Sequence, residues 1–258
     1  MSGTLHHVGR NGTLRVAAAG DLHCTKESQG QLAPLFAEMA GVADVIALCG
    51  DLTDYGLPEE AHVLAAELRG VRAEIVAVLG NHDLESGRSA DVVAILRDAG
   101  VRVLDGDAVE IGGVGFAGTK GFAGGFGARA LGPWGEDAIK AFVQEAVDEV
   151  LKLEGALARL RTEQKVAVLH YAPVEATVVG EPEQIYAFLG SSRLEDPIDR
   201  LGATAVVHGH AHHGSPEGAT RGGVPVYNVS IPLLRRTGAR AFRVLELSAD
   251  PVSSEQTN

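Results

Sequence analysis

With 258 residues, 45% of them apolar and 22% charged, the chain can bury a sizeable core, and its 33 glycines show no three-residue period, which excludes a collagen-like fibre. A formal charge of −12 argues against a general binder of phosphate backbones, since such proteins present a basic surface, so nucleic acid is not the expected partner. Cys24 and Cys49 are too few for a disulfide scaffold, no uncharged apolar run reaches membrane-spanning length, and the amino end lacks a signal-peptide pattern; a cytoplasmic protein without a membrane partner is expected.

Residues 1–12 read as a flexible start. Residues 14–19 then form a strand that runs into Gly20-Asp21-Leu22-His23. A helix follows over residues 30–40, a second strand over 43–49, and its exit carries Gly50-Asp51-Leu52-Thr53-Asp54. Pro58 suits the first turn of a helix reaching about residue 69, with Leu64 and Leu68 on one face. Residues 75–79 give a third strand, which ends in Gly80-Asn81-His82-Asp83. Three strand-loop-helix units in succession predict a mostly parallel sheet with its ligand site beyond the carboxyl ends of the strands.

A helix over residues 91–98 and short strands near 109–111 and 114–117 come next. Residues 118–135 are glycine-rich and read as a flap over the site; its Phe122, Phe126 and Trp134 either cover a substrate substituent or anchor the loop. Ile139, Phe142, Val143, Ala146, Val150, Leu153 and Leu157 recur every three or four positions, as on a long amphipathic helix covering a sheet. Strands over 166–169 and 204–207 end at His170 and at His208-Gly209-His210-Ala211-His212-His213, and further strands are expected over 224–229 and 241–247. The strands suffice for two packed sheets with helices outside, in one domain over residues 13–248 that a polar tail, 249–258, follows.

Asp21, His23, Asp51, Asn81, His170, His210 and His212 place oxygen and imidazole donors at five strand exits, and clustered carboxylates of this kind call for cations between them. Residues two apart on an extended segment, such as Asp21 and His23 or His210 and His212, point to one side. The ordered pieces Asp-x-His, Gly-Asp-x-x-Asp, Gly-Asn-His-Asp, a lone His170 and Gly-His-x-His resemble the calcineurin-like metallophosphoesterase family, from Asp21 through His212.

That resemblance implies a two-sheet β-sandwich flanked by helices, an α/β/β/α arrangement, and a dinuclear metal-dependent phosphoric ester hydrolase. It implies that Asp21, His23, Asp51 and His212 bind one ion and that Asp51, Asn81, His170 and His210 bind the other. Two divalent or transition metal ions are the expected cofactors, and the donors suit Mn, Fe or Zn. The implied reaction is attack by a hydroxide that bridges the metals. By the same resemblance His82 faces the phosphate and assists the leaving oxygen, while the Asp54 carboxylate orients its ring. Asp83 is expected to tie down the turn, His208 to pack beneath the site, His213 to face solvent, and Asn228 is a candidate substrate contact.

The family's protein serine/threonine phosphatases carry an arginine where Tyr55 stands and a glutamate where Asp83 stands. A small phosphodiester or nucleotide-like molecule is therefore the expected substrate. A phosphomonoesterase, a nuclease and a non-catalytic metal-binding scaffold are the alternatives.

Overall fold

The computed structural model describes residues 12–238 and 240–248. The expected segments 1–11 and 249–258 lie outside the described residues. Strands β1 (Thr13–Ala19), β2 (Val45–Cys49), β3 (Glu74–Val78) and β4 (Val101–Val103) run parallel in a first sheet, and β11 (Arg243–Ser248) closes its edge antiparallel to β1. The second sheet has the order β5 (Asp107–Ile111), β6 (Val114–Gly118), β7 (Gln164–Val168), β8 (Ala205–His208), β10 (Pro225–Asn228) and β9 (Glu217–Ala219). In it β6, β7, β8 and β10 are parallel, and the edge strands β5 and β9 are antiparallel to their neighbours.

The apolar runs explain the layers. All five residues of β2 are buried, as a strand covered on both faces requires. One face of the first sheet, with Ala17, Ile46, Leu48 and Ala77, packs under helices α1 (Ala33–Val42), α2 (Pro58–Glu67) and α3 (Ser89–Asp98) through Phe36, Met39, Leu64 and Leu96. Its other face presents Val16, Val45, Ala47 and Val76 to Val114, Phe116, Val166 and Val207 of the second sheet. The outer face of the second sheet, with Ala117, Ala167 and Val206, is covered by the long helix α4 (Asp137–Arg159) through Leu153 and Leu157 and by Ile198 of helix α6 (Glu195–Arg200). The order is therefore α/β/β/α, as the strand count and the resemblance imply. The remaining helices are short: α5 (Tyr186–Leu189) and α7 (Ile231–Arg236).

Two strands, β4 and β9, add to those legible in the sequence; at three residues each they are too short to show a period. The glycine-rich stretch also differs from a free flap. Through Phe126 it is mostly buried, because the Glu149 carboxylate of α4 accepts from Thr119 Oγ1 at 2.5 Å and from the Gly121 N–H at 2.8 Å. Phe122 packs on Phe142 of α4 and on Tyr171, and Phe126 joins a small cluster with Ala172, Leu189 and Ala211. Trp134 is 64% exposed.

Candidate metal centre

The exits of β1, β2, β3, β7 and β8 meet at one edge of the sandwich. The first two run side by side: the N–H groups of Asp21, His23 and Cys24 donate to the carbonyls of Gly50, Asp51 and Leu52 at 3.0, 2.9 and 3.1 Å. Across the sheets, His170 Nδ1–H donates to the carbonyl of Cys49 at 2.9 Å, and the Gly209 N–H donates to the His170 carbonyl at 3.2 Å. Asp21, His23, Asp51 and His210 all have left-handed backbone, with φ of 61°, 45°, 46° and 70° respectively. Non-glycine residues rarely adopt it, and such strain gathers at functional sites. Two glycines make room. A side chain at Gly50 (φ 78°) would strike the His170 ring, and one at Gly80 would fall on Asp51 Oδ1.

The seven expected ligands converge. Ligand atoms of Asp21, His23 and His212 lie within 4.8 Å of one another, and so do those of Asp51, His170 and His210. Asn81 Oδ1 lies 2.9 Å from His170 Nε2. Asp51 reaches both groups: its Oδ1 is 3.4 Å from His170 Nε2, and its Oδ2 is 3.9 Å from His23 Nε2.

The hydrogen bonds fit a cation at each group. His170 gives its Nδ1–H to Cys49, so its neutral ring turns the Nε2 lone pair toward the oxygens of Asn81 and Asp51. His23 donates from Nδ1 to Asp54 Oδ1 at 3.0 Å, and its buried Nε2 has no hydrogen-bond partner. His210 donates from Nε2 to the Phe188 carbonyl at 3.2 Å, which frees Nδ1. Metal-ligating histidines characteristically give their other N–H to a carboxylate or carbonyl in this way.

Charge at the centre points the same way. Burial and the neighbouring Asp21 carboxylate push the Asp51 carboxyl above its usual range. For Asp21 burial also opposes ionisation, but the His212 hydrogen bond and the His170, His212 and His210 rings hold it at about 2. Burial lowers His170, and burial with the nearby His170 lowers His210 to about 4, so both rings are neutral ligands at neutral pH. The Asp21 hydrogen bond raises the His212 pKa, but beside the neutral His170 and His210 rings the Asp51 carboxylate has no such partner, and bound cations would offset its charge.

His82 stands beside this centre. Its N–H donates to Asp51 Oδ1 at 3.0 Å and its Nδ1–H to the Asp54 carbonyl at 2.7 Å. Burial opposes its protonation, yet the Asp54 carbonyl and the carboxylates of Asp51, Asp54 and Glu85 outweigh that and raise its pKa. Asp54 does hold the His82 ring, but through its carbonyl; its carboxylate acts on that ring by charge alone. That carboxylate is 4.0 Å from His82 Nδ1 and bonds His23 instead, because the β1 and β2 exit loops pair side by side and carry it there.

Asp83 is fully buried and accepts from Leu52 N, Thr53 N, Thr53 Oγ1 and Gly80 N at 3.1, 2.8, 2.6 and 2.8 Å, tying the β2 exit to the β3 exit. His208 is buried and donates to the Gly209 carbonyl, and His213 is exposed. Asn228 is not a substrate contact: fully buried, it donates to the Ala211 carbonyl at 2.8 Å and accepts from Ser230 N at 3.1 Å, bracing the β8 exit. The Cys49 and Phe188 carbonyls escape sequence reading because backbone atoms carry no residue signature. Tyr171 has a signal only in its adjacency to His170.

An α/β/β/α sandwich with a histidine, aspartate and asparagine cluster across five strand exits defines a metal-dependent hydrolase of phosphate esters. Residues 14–214 match the model of the calcineurin-like phosphoesterases, and the chain belongs to that family. Among solved structures, phosphopantetheinyl hydrolase from Mycobacterium tuberculosis is similar over 93% of this chain and 98% of its own, with a TM-score of 0.64 and 18% identity. The TT1561 protein of Thermus thermophilus is similar over 90% and 98%, with a TM-score of 0.53 and 17% identity. These likenesses are of fold. No curated protein matches the sequence. Among the described residues no helix is long and apolar enough to cross a membrane.

Proposed function

We propose that the protein is a dinuclear phosphodiesterase acting on small, nucleotide-like diesters. The observation that carries the two-ion reading is Asp51, whose two oxygens face the two ligand groups separately. Asp21, His23, Asp51 and His212 would hold one ion, and Asp51, Asn81, His170 and His210 the other. Bound there, the ions supply charge that activates water and neutralises phosphoryl oxygens. His82 serves as the acid. With Nδ1–H held by the Asp54 carbonyl, Nε2 is the atom left to give a proton to the departing oxygen, and the raised pKa keeps that proton available near neutrality.

The preference for diesters rests on the cations around the centre. Tyr55, 54% exposed, stands where the related protein phosphatases carry an arginine. Lys120, the cation that bears on His170, gives its ammonium to the Gly121 carbonyl at 2.8 Å and lies on the Phe122 and Tyr171 rings. With tyrosine at position 55 in place of that arginine, a monoanionic diester is favoured over a dianionic monoester. Beside the His210 loop, Phe126, Tyr186, Val179, Arg129, Glu175 and Glu183 line a cavity of about 360 Å³, room for an uncharged or cationic second ester substituent. A phosphopantetheinyl group, on which the M. tuberculosis neighbour is named as acting, is one ester of that shape to test.

The test compares kcat/KM for bis(p-nitrophenyl) phosphate and p-nitrophenyl phosphate at equal metal content. Cyclic nucleotides, a glycerophosphodiester and a phosphopantetheine diester follow. A diester advantage is expected. Consistent preference for monoesters would make the protein a phosphatase with the same centre.

A further inference from the structure

Tyr171 follows His170 on the exit of β7 and is only 7% exposed. Among the described residues its hydroxyl has no hydrogen-bond partner, and it is not among the atoms sealed from solvent. On a ring otherwise buried, a hydroxyl that keeps its access to solvent is the one polar atom of the side chain open to a ligand.

The ring is fixed on several sides. Its centroid lies 4.5 Å from that of His210, 5.4 Å from that of His170 and 5.9 Å from that of Phe122. Lys120 Nζ lies 5.3 Å from the ring, and the Lys120 carbonyl accepts both the His170 and the Tyr171 N–H at 3.0 Å. A hydroxyl on a ring held between two ligands of the metal centre needs little reorganisation to meet a substrate there.

We propose that Tyr171 is a substrate-contacting residue whose hydroxyl donates a hydrogen bond to a non-bridging phosphoryl oxygen of the ester at the centre. The assignment rests on the phosphoesterase reading of that centre. It adds a neutral donor on the His170–His210 side of the centre.

Tyr171→Phe removes the hydroxyl and keeps the ring against His210. On metal-loaded protein with bis(p-nitrophenyl) phosphate, kcat/KM should fall roughly 10- to 100-fold. Metal content and thermal midpoint should match the parent. Calorimetric binding of inorganic phosphate to the metal-loaded protein should weaken by a similar factor. That measurement holds even if the parent hydrolyses no ester offered to it, so failure of the functional reading and failure of this inference are distinguishable. Parent-like phosphate affinity in Tyr171→Phe would overturn the contact, and so would a loss of metal or thermal stability that accounts for the change.

Discussion

At His23, His170 and His210 one ring nitrogen is bound to an oxygen of the protein while the other faces the centre, and these small attachments set what each residue contributes. The Asp54 carboxylate belongs to His23, whereas its carbonyl belongs to His82. Asp54→Ala therefore removes the bond to His23 and part of the charge that raises the His82 pKa, but keeps the carbonyl that holds the His82 ring. Metal affinity should fall about 10- to 100-fold, read by elemental analysis after dialysis against a graded chelator. His82→Ala should keep its metal and lose roughly 100-fold or more in kcat. If Asp54→Ala held metal like the parent, the carboxylate would not be orienting a ligand. The seven candidate ligands are legible in the sequence because each follows an apolar strand, and all but the lone His170 lie in a short motif. Which partner Asp54 takes is not, because that depends on two loops pairing laterally across 31 residues of sequence.

At the scale of elements, the exits of β2 and β3 are locked by Asp83 and packed so closely that Gly80 has no space for a methyl group. Gly80→Ala would drive its Cβ into Asp51 Oδ1, the carboxylate shared by both ligand groups. The expected result is a folded protein with reduced occupancy of both ions. Circular dichroism with metal analysis checks it, and full occupancy in the variant would refute the contact. The parallel strands are legible as apolar runs ending in polar motifs. The stretch after β6 reads as an irregular flap because its glycines signal looseness locally. The carboxylate that fastens it, Glu149, lies on a helix 30 residues beyond Thr119.

Across the whole molecule, metal-free stability should depend on pH through the histidines buried without charge. Burial holds His208 at about 4, and burial with His170 does the same for His210, against an ordinary value of 6.5. Between those values the unfolded chain binds more protons than the folded one, so stability is full above 6.5 and declines as pH falls toward 4. His208, sealed from solvent, carries the larger share, up to about 3 kcal/mol. Denaturant unfolding of the chelated protein at pH 7 and 5 measures it, and equal midpoints would contradict it. A backbone bond across the centre has a different bearing. The His210 N–H donates to Asp21 at 3.0 Å over 189 residues of sequence, joining the first ligand of the chain to one of the last. While the chain is being synthesised, Asp21, His23, Asp51 and Asn81 emerge long before His170, His210 and His212, so neither group of candidate ligands is complete until strand β8 and its exit have docked. A nascent chain ending before His208 therefore carries Asp21, His23, Asp51, Asn81 and His170 but lacks His210 and His212, one candidate ligand of each group.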